Sequence, residues 1–409
     1  MTDVMRDEDG VRIRTRMEKQ LGRASRSPIG AWFHDIDRVL LLLAFVLIAI
    51  GLVAVAAASP ASAERYSGAS HHIAAMFYFW RQVGWVALSV PVLLVVSMLP
   101  VTLARRMALI GAVAFLALLA AVPLVGVEAN GARRWIGVGI AQFQPSEFLK
   151  PFFIVATAWV LSLRAKDEHL PVVPITLAMT AVVGTLLMLQ PDFGQTIVFG
   201  SVWMILLMIA GTSPRIMAAL VGTGLGGIVM AYLFYGTARA RIDSFLFPDA
   251  TSNGAADTYQ MDMAHAVITG GGITGTGPGA GVQKFRLPEA HTDYIYAVVG
   301  EEFGYIACAI IAILFLAIVV RVFVKLLDED DPFRLLAASG LAAQFGVQGM
   351  INMAVNTGIA PSKGMTLPFI SYGGSSMVAL SIGMGLLLAF TRRNPYLSRS
   401  SYTNAWVGK

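Results

Sequence analysis

The chain has 409 residues, 56% of them hydrophobic and 13% charged, with a formal net charge of +5. That leaves too little polar surface to coat a soluble globule of this size, so the expected class is an integral membrane protein. Continuous apolar runs such as 38 to 59 and 215 to 236 can cross a hydrocarbon core of ~30 Å as helices, and they exclude a transmembrane β-barrel.

The first 37 residues hold many arginines and several acids, and the apolar run after them lacks a small-residue cleavage site at signal-peptide distance. They are expected to stay as a basic cytoplasmic tail. Spans are predicted near 38–58, 77–98, 106–125, 148–164, 171–189, 194–211, 215–236, 294–325, 335–355 and 369–391, about ten in all. With the first tail inside, the short basic connections near 103–106, 163–169, 213–215 and 324–334 fall inside too. About twenty of the thirty Lys and Arg are then cytoplasmic, as the positive-inside rule requires. The expected organisation is an all-α polytopic domain over 38–392 with a long outward loop at 237–292, and a cytoplasmic tail over 393–409. Cys308 is the single cysteine, so there is no intrachain disulfide, and it reads as a small core residue.

Several cations break the charge rule. Arg81, Arg133, Arg134, Lys150, Arg239, Arg241, Lys284, Arg286 and Lys363 fall outside or at the outer ends of spans. Snorkelling explains any one of them; the whole set suggests an anionic ligand at the outer face. Between the third and fourth spans, 130–152 alternates apolar and polar residues, places Trp135 at interface depth and uses Pro145 to open a helix holding Glu147 and Lys150. It is expected to lie along the surface as a re-entrant or interfacial element. QPDFGQ (190–195) reads as a tight turn in which Asp192 is either turn-former or ligand.

The long loop contains GGGITGTGPGAG (270–281), which lacks the GK[ST] ending and preceding parallel strand of a nucleotide loop. Its glycines are expected to permit tight turning or close approach to a ligand or a neighbouring helix. Then comes LPEAHTDYIYAVVGEEFG (287–304). A helix starting at Thr292, a good N-cap, would put Asp293 in its first turn, where the macrodipole favours an acid. Asp293, Ala297, Gly300, Glu301 and Gly304 would share one stripe of the helix, with Glu302 facing the other way. Glu301 would lie about 12 Å deeper than Asp293, where a carboxylate costs on the order of 2.5 to 3.5 kcal/mol unless it meets water or a cation. A structural ion pair or helix contact therefore competes with function at Glu301 and Glu302, and Asp293 is the better candidate for chemistry. His265 and His291 lack metal-ligand spacing, and no nucleic-acid module is present. In 356–377, Pro361, Pro368, Gly373 and Gly374 predict broken helix, tolerated only where it faces protein or a water-filled cavity.

GARRWI with QPSE, QPDFG, VQK followed by LPEAHTDYIYAVVGEE, and PSKGMTLPFISYGGSS occur in this order and together resemble the SEDS (shape, elongation, division and sporulation) polytopic proteins. The resemblance spans about 38 to 392. NGARRW, PEAHTD and PSKGMTLP are similar to the division branch; the elongation branch more often has Arg in place of Ala290 and lacks the lysine at 363. The resemblance implies ten transmembrane helices with both ends cytoplasmic, a periplasmic loop between helices seven and eight, and peptidoglycan glycosyltransferase activity on lipid II at the septum. It also implies an inner-membrane location and partners: a class B penicillin-binding transpeptidase, other divisome membrane proteins and membrane lipid, but no nucleic acid.

The family's essential aspartate falls on Asp293, as proposed general base, and its GxxRW arginine on Arg134. The substrate-binding set implied or suggested is Arg81, Arg134, Glu147, Lys150, Asp192, Lys284, Arg286, Glu289, His291, Lys363 and Ser371, with Arg134, Lys284, Arg286 and Lys363 as candidates for the diphosphate. Met263, Ala264 and Gly281 depart from the family's usual polar residues, and Gln195 from its small hydroxyl residue. No cofactor or resident metal is required, although acids nearby would suit a divalent cation on the diphosphate. A lipid-precursor flippase and a non-catalytic scaffold are the competing readings. A flippase needs polar groups through the whole depth, whereas these motifs cluster at one face.

Overall fold

The computed structural model describes residues 28–68, 72–129, 132–137, 142–236, 239, 242–243, 255–361 and 364–392. Residues 1–27 and 393–409 of the two expected tails, together with Arg241 and Lys363, lie outside the described residues. In chain order the helices are α1 (Pro28–Asp35), α2 (Arg38–Tyr66), α3 (Phe77–Met98), α4 (Val101–Val125), α5 (Pro145–Ser162), α6 (Val172–Leu189), α7 (Phe193–Ile209), α8 (Pro214–Phe234), α9 (Ala255–Gly270), α10 (Ile295–Leu326), α11 (Pro332–Asn356) and α12 (Gly374–Phe390). Strands β1 (Val127–Ala129) and β2 (Ala132–Trp135) form an antiparallel hairpin with Glu128 opposite Arg133.

Each predicted span falls on a helix. Among the described residues seven helices are long and apolar enough to cross a membrane, and α7 and α12 are shorter apolar helices. Helix starts follow local chemistry. Pro145, Pro214 and Pro332 occupy first-turn positions where a missing N–H costs nothing. Asp37, Asp192 and Asp331 accept backbone N–H bonds from the first turns of α2, α7 and α11. Asp37 also receives Arg321 at 3.0 Å and Lys325 at 3.2 Å, tying the start of α2 to the last turns of α10.

The interior is built around α5, α11 and α12: α12 lies along α3, α4 along α5, and α11 against α10, α5 and α7. By contrast, no residue of α8 is buried. Within the segment 130–152, expected to lie along the surface, the described residues form β2, an Ile136–Phe143 bridge and the start of α5. The last predicted span starts later than expected, at Gly374, because 364–373 is not helical. Met365, Leu367, Phe369, Ile370 and Ser371 of that segment are buried inside the protein, which is the condition under which non-helical backbone survives at this depth. Gly51 of α2 admits it, since a Cβ there would lie 2.3 Å from the Phe369 carbonyl oxygen.

Helix α10 is broken at Gly304, whose backbone (φ +78°, ψ 179°) is not helical. The glycine-rich loop closes the break. Thr276 and Gly277 donate their N–H groups to the Glu301 and Glu302 carbonyls at 2.9 and 3.0 Å, and Tyr305 and Ile306 donate to Gly272 and Ile273 at 3.0 and 3.3 Å. A Cβ on Gly271 would stand 1.9 Å from the Gly300 carbonyl oxygen, so the glycines serve close backbone approach to a helix. Gly304→Ala is expected to destabilise the protein by about 1–3 kcal/mol from backbone strain alone. Its Cβ would also meet the Ile273 carbonyl oxygen at 2.3 Å. A lowered thermal midpoint in detergent is the measurement.

Candidate active site

The turn 287–294 is anchored by burial of Leu287, Ala290 and His291 and places Asp293 half-buried just before α10. The helix begins two residues later than the sequence suggests: its N-cap is Tyr294, with no side-chain cap bond. Thr292 is not the cap because its hydroxyl is committed elsewhere, donating to the Glu289 carboxylate at 2.7 Å. Glu289 also accepts from the Tyr66 hydroxyl at 2.7 Å and holds a left-handed backbone, φ +51°. Ser371 donates its hydroxyl to the Thr292 carbonyl at 2.6 Å, and the Tyr372 N–H bonds the His291 carbonyl at 2.9 Å, so the 364–373 segment closes over the turn.

Burial pushes the Asp293 carboxyl up to about 7; Glu289 adds to the rise, Arg134 opposes it, and Asp192 and Glu147 add smaller increments. Glu289 of the same turn and three sequence-predicted residues from elsewhere in the chain, Arg134, Asp192 and Glu147, therefore act electrostatically on Asp293. Among the described residues no hydrogen-bond donor reaches its carboxylate.

Arg134 of β2 donates to the carbonyls of Gln190 and Pro191 at 3.1 and 2.6 Å and lies 4.0 Å from Asp192. The hairpin thus clasps the QPDFGQ turn. Asp192 caps α7 through the Gln195 N–H at 3.2 Å and accepts from Gln144 at 3.1 Å, so it is turn-former and charge partner at once. Burial raises its pKa, against the pull of Arg134. Behind it, Gln195 donates to Glu147 at 2.7 Å, and Lys150 bridges Glu147 at 2.8 Å and Gln348 at 3.0 Å. Glu147 and Lys150 are both buried, which satisfies the Lys150 charge within the bundle.

On the other side of the turn, the His291 ring lies 4.2 Å from Tyr78 and 5.1 Å from Tyr372, with Tyr66 edge-on at 6.2 Å. Burial draws the imidazole down to about 4, so it is neutral at pH 7, and its Nδ1 has no hydrogen-bond partner among the described residues. Arg81 stands over the Phe77 ring at 5.4 Å and acts on Tyr372, on this aromatic side.

Two expected cations are placed elsewhere. The Lys284 ammonium is buried, pairs with Glu302 and donates to the Ala57 carbonyl at 2.9 Å. Arg286 is exposed at the end of the same 3-10 turn, Gln283–Arg286, with its carbonyl accepting from Arg65 at 3.3 Å. Glu301 accepts the N–H groups of Gln283 and Lys284 at 2.7 and 3.0 Å, and Glu302 accepts that of Gly279 at 3.1 Å. Both acids therefore fasten the loop, which folds across the helix break and meets Glu301 and Glu302 alike, the structural role that competed with function at these positions. Tyr66, Tyr78 and Tyr372 escaped sequence reasoning. So did the buried amides of α11, although their spacing of four in an apolar helix was a readable signal.

A family model for FtsW/RodA/SpoVE, "Cell cycle protein", matches residues 37–396. The probable peptidoglycan glycosyltransferase FtsW of Caulobacter vibrioides is 38% identical over 374 residues, covering 91% of this chain and 93% of that protein. Its counterpart from Geobacter sulfurreducens is 36% identical over 369 residues, covering 87% and 95%. The fold is similar to a chain in the solved structure "Structural coordination of polymerization and crosslinking by a peptidoglycan synthase complex", with TM-score 0.70, 28% identity and coverage of 87% and 97%. It is also similar to the crystal structure of the rod shape determining protein RodA of Thermus thermophilus, with TM-score 0.63, 26% identity and coverage of 87% and 96%.

Proposed function

The chain belongs to the FtsW/RodA/SpoVE family of cell cycle proteins, and on that premise we propose that it is a peptidoglycan glycosyltransferase that polymerises lipid II into glycan strands during septal wall synthesis. Asp293 is the general base. It takes the proton from the acceptor sugar hydroxyl as that oxygen bonds to the anomeric carbon of the donor. The bond from that carbon to the diphosphate breaks, and the polyprenyl diphosphate leaves with the electron pair. A base is most effective when its pKa lies near the working pH, and a carboxyl held up to about 7 at the mouth of a membrane bundle meets that condition. The observation that carries the reading is the placement of Asp293 just before α10, in a turn held by Glu289, Thr292 and Ser371 and closed over by the 364–373 segment.

Arg134 and Arg81 flank the turn and supply positive charge for the developing diphosphate, and Lys363 is proposed to join them. Glu289, Thr292 and Ser371 hold the turn, while Tyr78, His291 and Tyr372 offer flat surfaces suited to sugar rings. A divalent cation, where one takes part, arrives on the substrate diphosphate. Among the described residues there is no group of three His, Cys, Asp or Glu that could hold an ion. The site faces the periplasm of an inner-membrane protein with both termini cytoplasmic, acting at the septum with a class B penicillin-binding transpeptidase and other divisome proteins. The synthase-complex structure to which the fold is similar supports such a pairing.

The test is polymerisation of fluorescent lipid II by the purified full chain, alone and with its transpeptidase. Long, muramidase-sensitive glycan is expected. No product in either case, with the protein folded, overturns the reading and leaves the transporter and scaffold alternatives. The pH dependence has a definite sign. Ionised Asp293 is the active form, so the rate is expected to rise about tenfold per pH unit below the titration and level off above about 7. Stability runs the opposite way. A carboxyl raised from 3.8 in the unfolded chain to about 7 stabilises the fold fully below 3.8, and that contribution is lost as the pH climbs through 7. A flat rate between pH 5 and 8 would remove Asp293 as the titrating base.

A further inference from the structure

Helix α11 carries a carboxamide at every fourth position, Gln344, Gln348, Asn352 and Asn356, and all four are buried. Residues four apart lie on one helical face, and a buried amide in an apolar helix is costly unless it is bonded. The last two turn this row toward Asp293. Asn352 donates through Nδ2 to the Asp293 carbonyl at 2.9 Å and to the Met365 carbonyl at 2.6 Å. Asn356 donates to the same Asp293 carbonyl at 3.0 Å, and its Oδ1 accepts the Ala297 N–H at 3.0 Å. A carbonyl oxygen has two lone pairs, and both of Asp293's are taken. Helix α10 starts without a side-chain cap of its own, and its Ala297 N–H is shared between Asn356 and the Tyr294 carbonyl at 3.1 Å, so Asn356 braces the first turn from outside the helix.

Among the described residues no side chain donates a hydrogen bond to the Asp293 carboxylate. Gly364 lies opposite it, close enough that a Cβ there would stand 3.4 Å from Oδ2. The direction of the carboxylate is therefore set by its backbone. That backbone, and the 364–367 segment opposite it, are held together by Asn352 through Met365.

We propose that Asn352 and Asn356 are positioning residues for glycosyl transfer: together they clamp the Asp293 turn and the 364–367 segment in the geometry the base requires. The inference rests on the reading of Asp293 as general base. It assigns the pair no contact with substrate, and it predicts a cost in turnover rather than in binding.

The experiment compares Asn352→Leu and Asn356→Leu in the full chain with its transpeptidase, using fluorescent lipid II from pH 5 to 8. Each is expected to lower kcat by about 10- to 100-fold, the scale of a reacting group displaced by about 1 Å, while KM moves by less than about threefold. A turn released from α11 admits water to the carboxyl, so the acid limb of the rate profile is expected to move below its wild-type position. The charged groups that act on Asp293, namely Glu289, Arg134, Asp192 and Glu147, are unchanged in both variants. Where leucine prevents folding, Asn352→Ser and Asn356→Ser remove the reach to the carbonyl but leave room for water. Folded variants with wild-type kcat overturn the inference, as does a loss of active protein with an unmoved acid limb. Failure of all four variants to fold assigns the pair a purely structural role and overturns it too. Asp293→Asn separates the two readings: if it stays active, the base reading falls and this inference with it. If it is inactive while the asparagine variants match wild type, only the positioning role fails.

Discussion

Asp293→Asn is expected to reduce glycan polymerisation by about 10²- to 10⁴-fold, the range typical of a lost general base. The amide matches the carboxylate in size and leaves the backbone carbonyl and its two asparagine donors in place. What disappears is the ability to accept the acceptor hydroxyl's proton. The same change removes an acid whose ionised form is penalised by burial and by Glu289, so the variant should be at least as heat-stable as wild type above pH 7. Polymer length on a gel and a thermal midpoint in detergent read the two effects separately. A variant that makes normal product would end the assignment.

Lys284→Met is expected to cost about 3–5 kcal/mol of stability, the penalty for leaving a buried charge without its partner. The ammonium and the Glu302 carboxylate are both buried, and loss of the lysine leaves Glu302 with the Gly279 N–H. Pairing Lys284→Met with Glu302→Gln should recover much of that loss, because a buried ion pair is often no better than a neutral replacement of similar volume. The thermal midpoint and resistance of the 271–286 loop to limited proteolysis are the measurements. A single variant that melts like wild type but no longer polymerises would instead assign the ammonium to the substrate.

These two residues also mark how far local pattern reaches. Asp293 stood out in the sequence because it lies at the lip of an apolar run, on a stripe shared with Ala297, Gly300 and Gly304, while the deeper Glu301 and Glu302 call for structural partners. Lys284 looked like a substrate cation for the same kind of reason: it was a positive charge next to a motif. Its actual partner, Glu302, sits 18 residues away, and the Ala57 carbonyl that shares it is 227 residues away. The start of α10 shows the same limit. Thr292 is a good cap by type, but Glu289 takes its hydroxyl, and the Ala297 N–H is served by Asn356 from another helix.

The sequence by itself determined that this is a helical membrane protein, where its apolar spans fall, that the 270–281 glycines suit tight turning or close backbone approach, and that Asp293 is the best acid for chemistry. Those conclusions rest on hydropathy, length and the conformational freedom of single residues, all carried by neighbours along the chain. Only the tertiary structure decided that Glu301, Glu302 and Lys284 fasten a loop. It likewise decided that Arg134, Asp192 and Glu147 act on Asp293, and that three tyrosines surround His291. The low dielectric inside a bundle penalises a charge or amide left without a partner, but which partner it finds depends on distances between segments far apart in the chain.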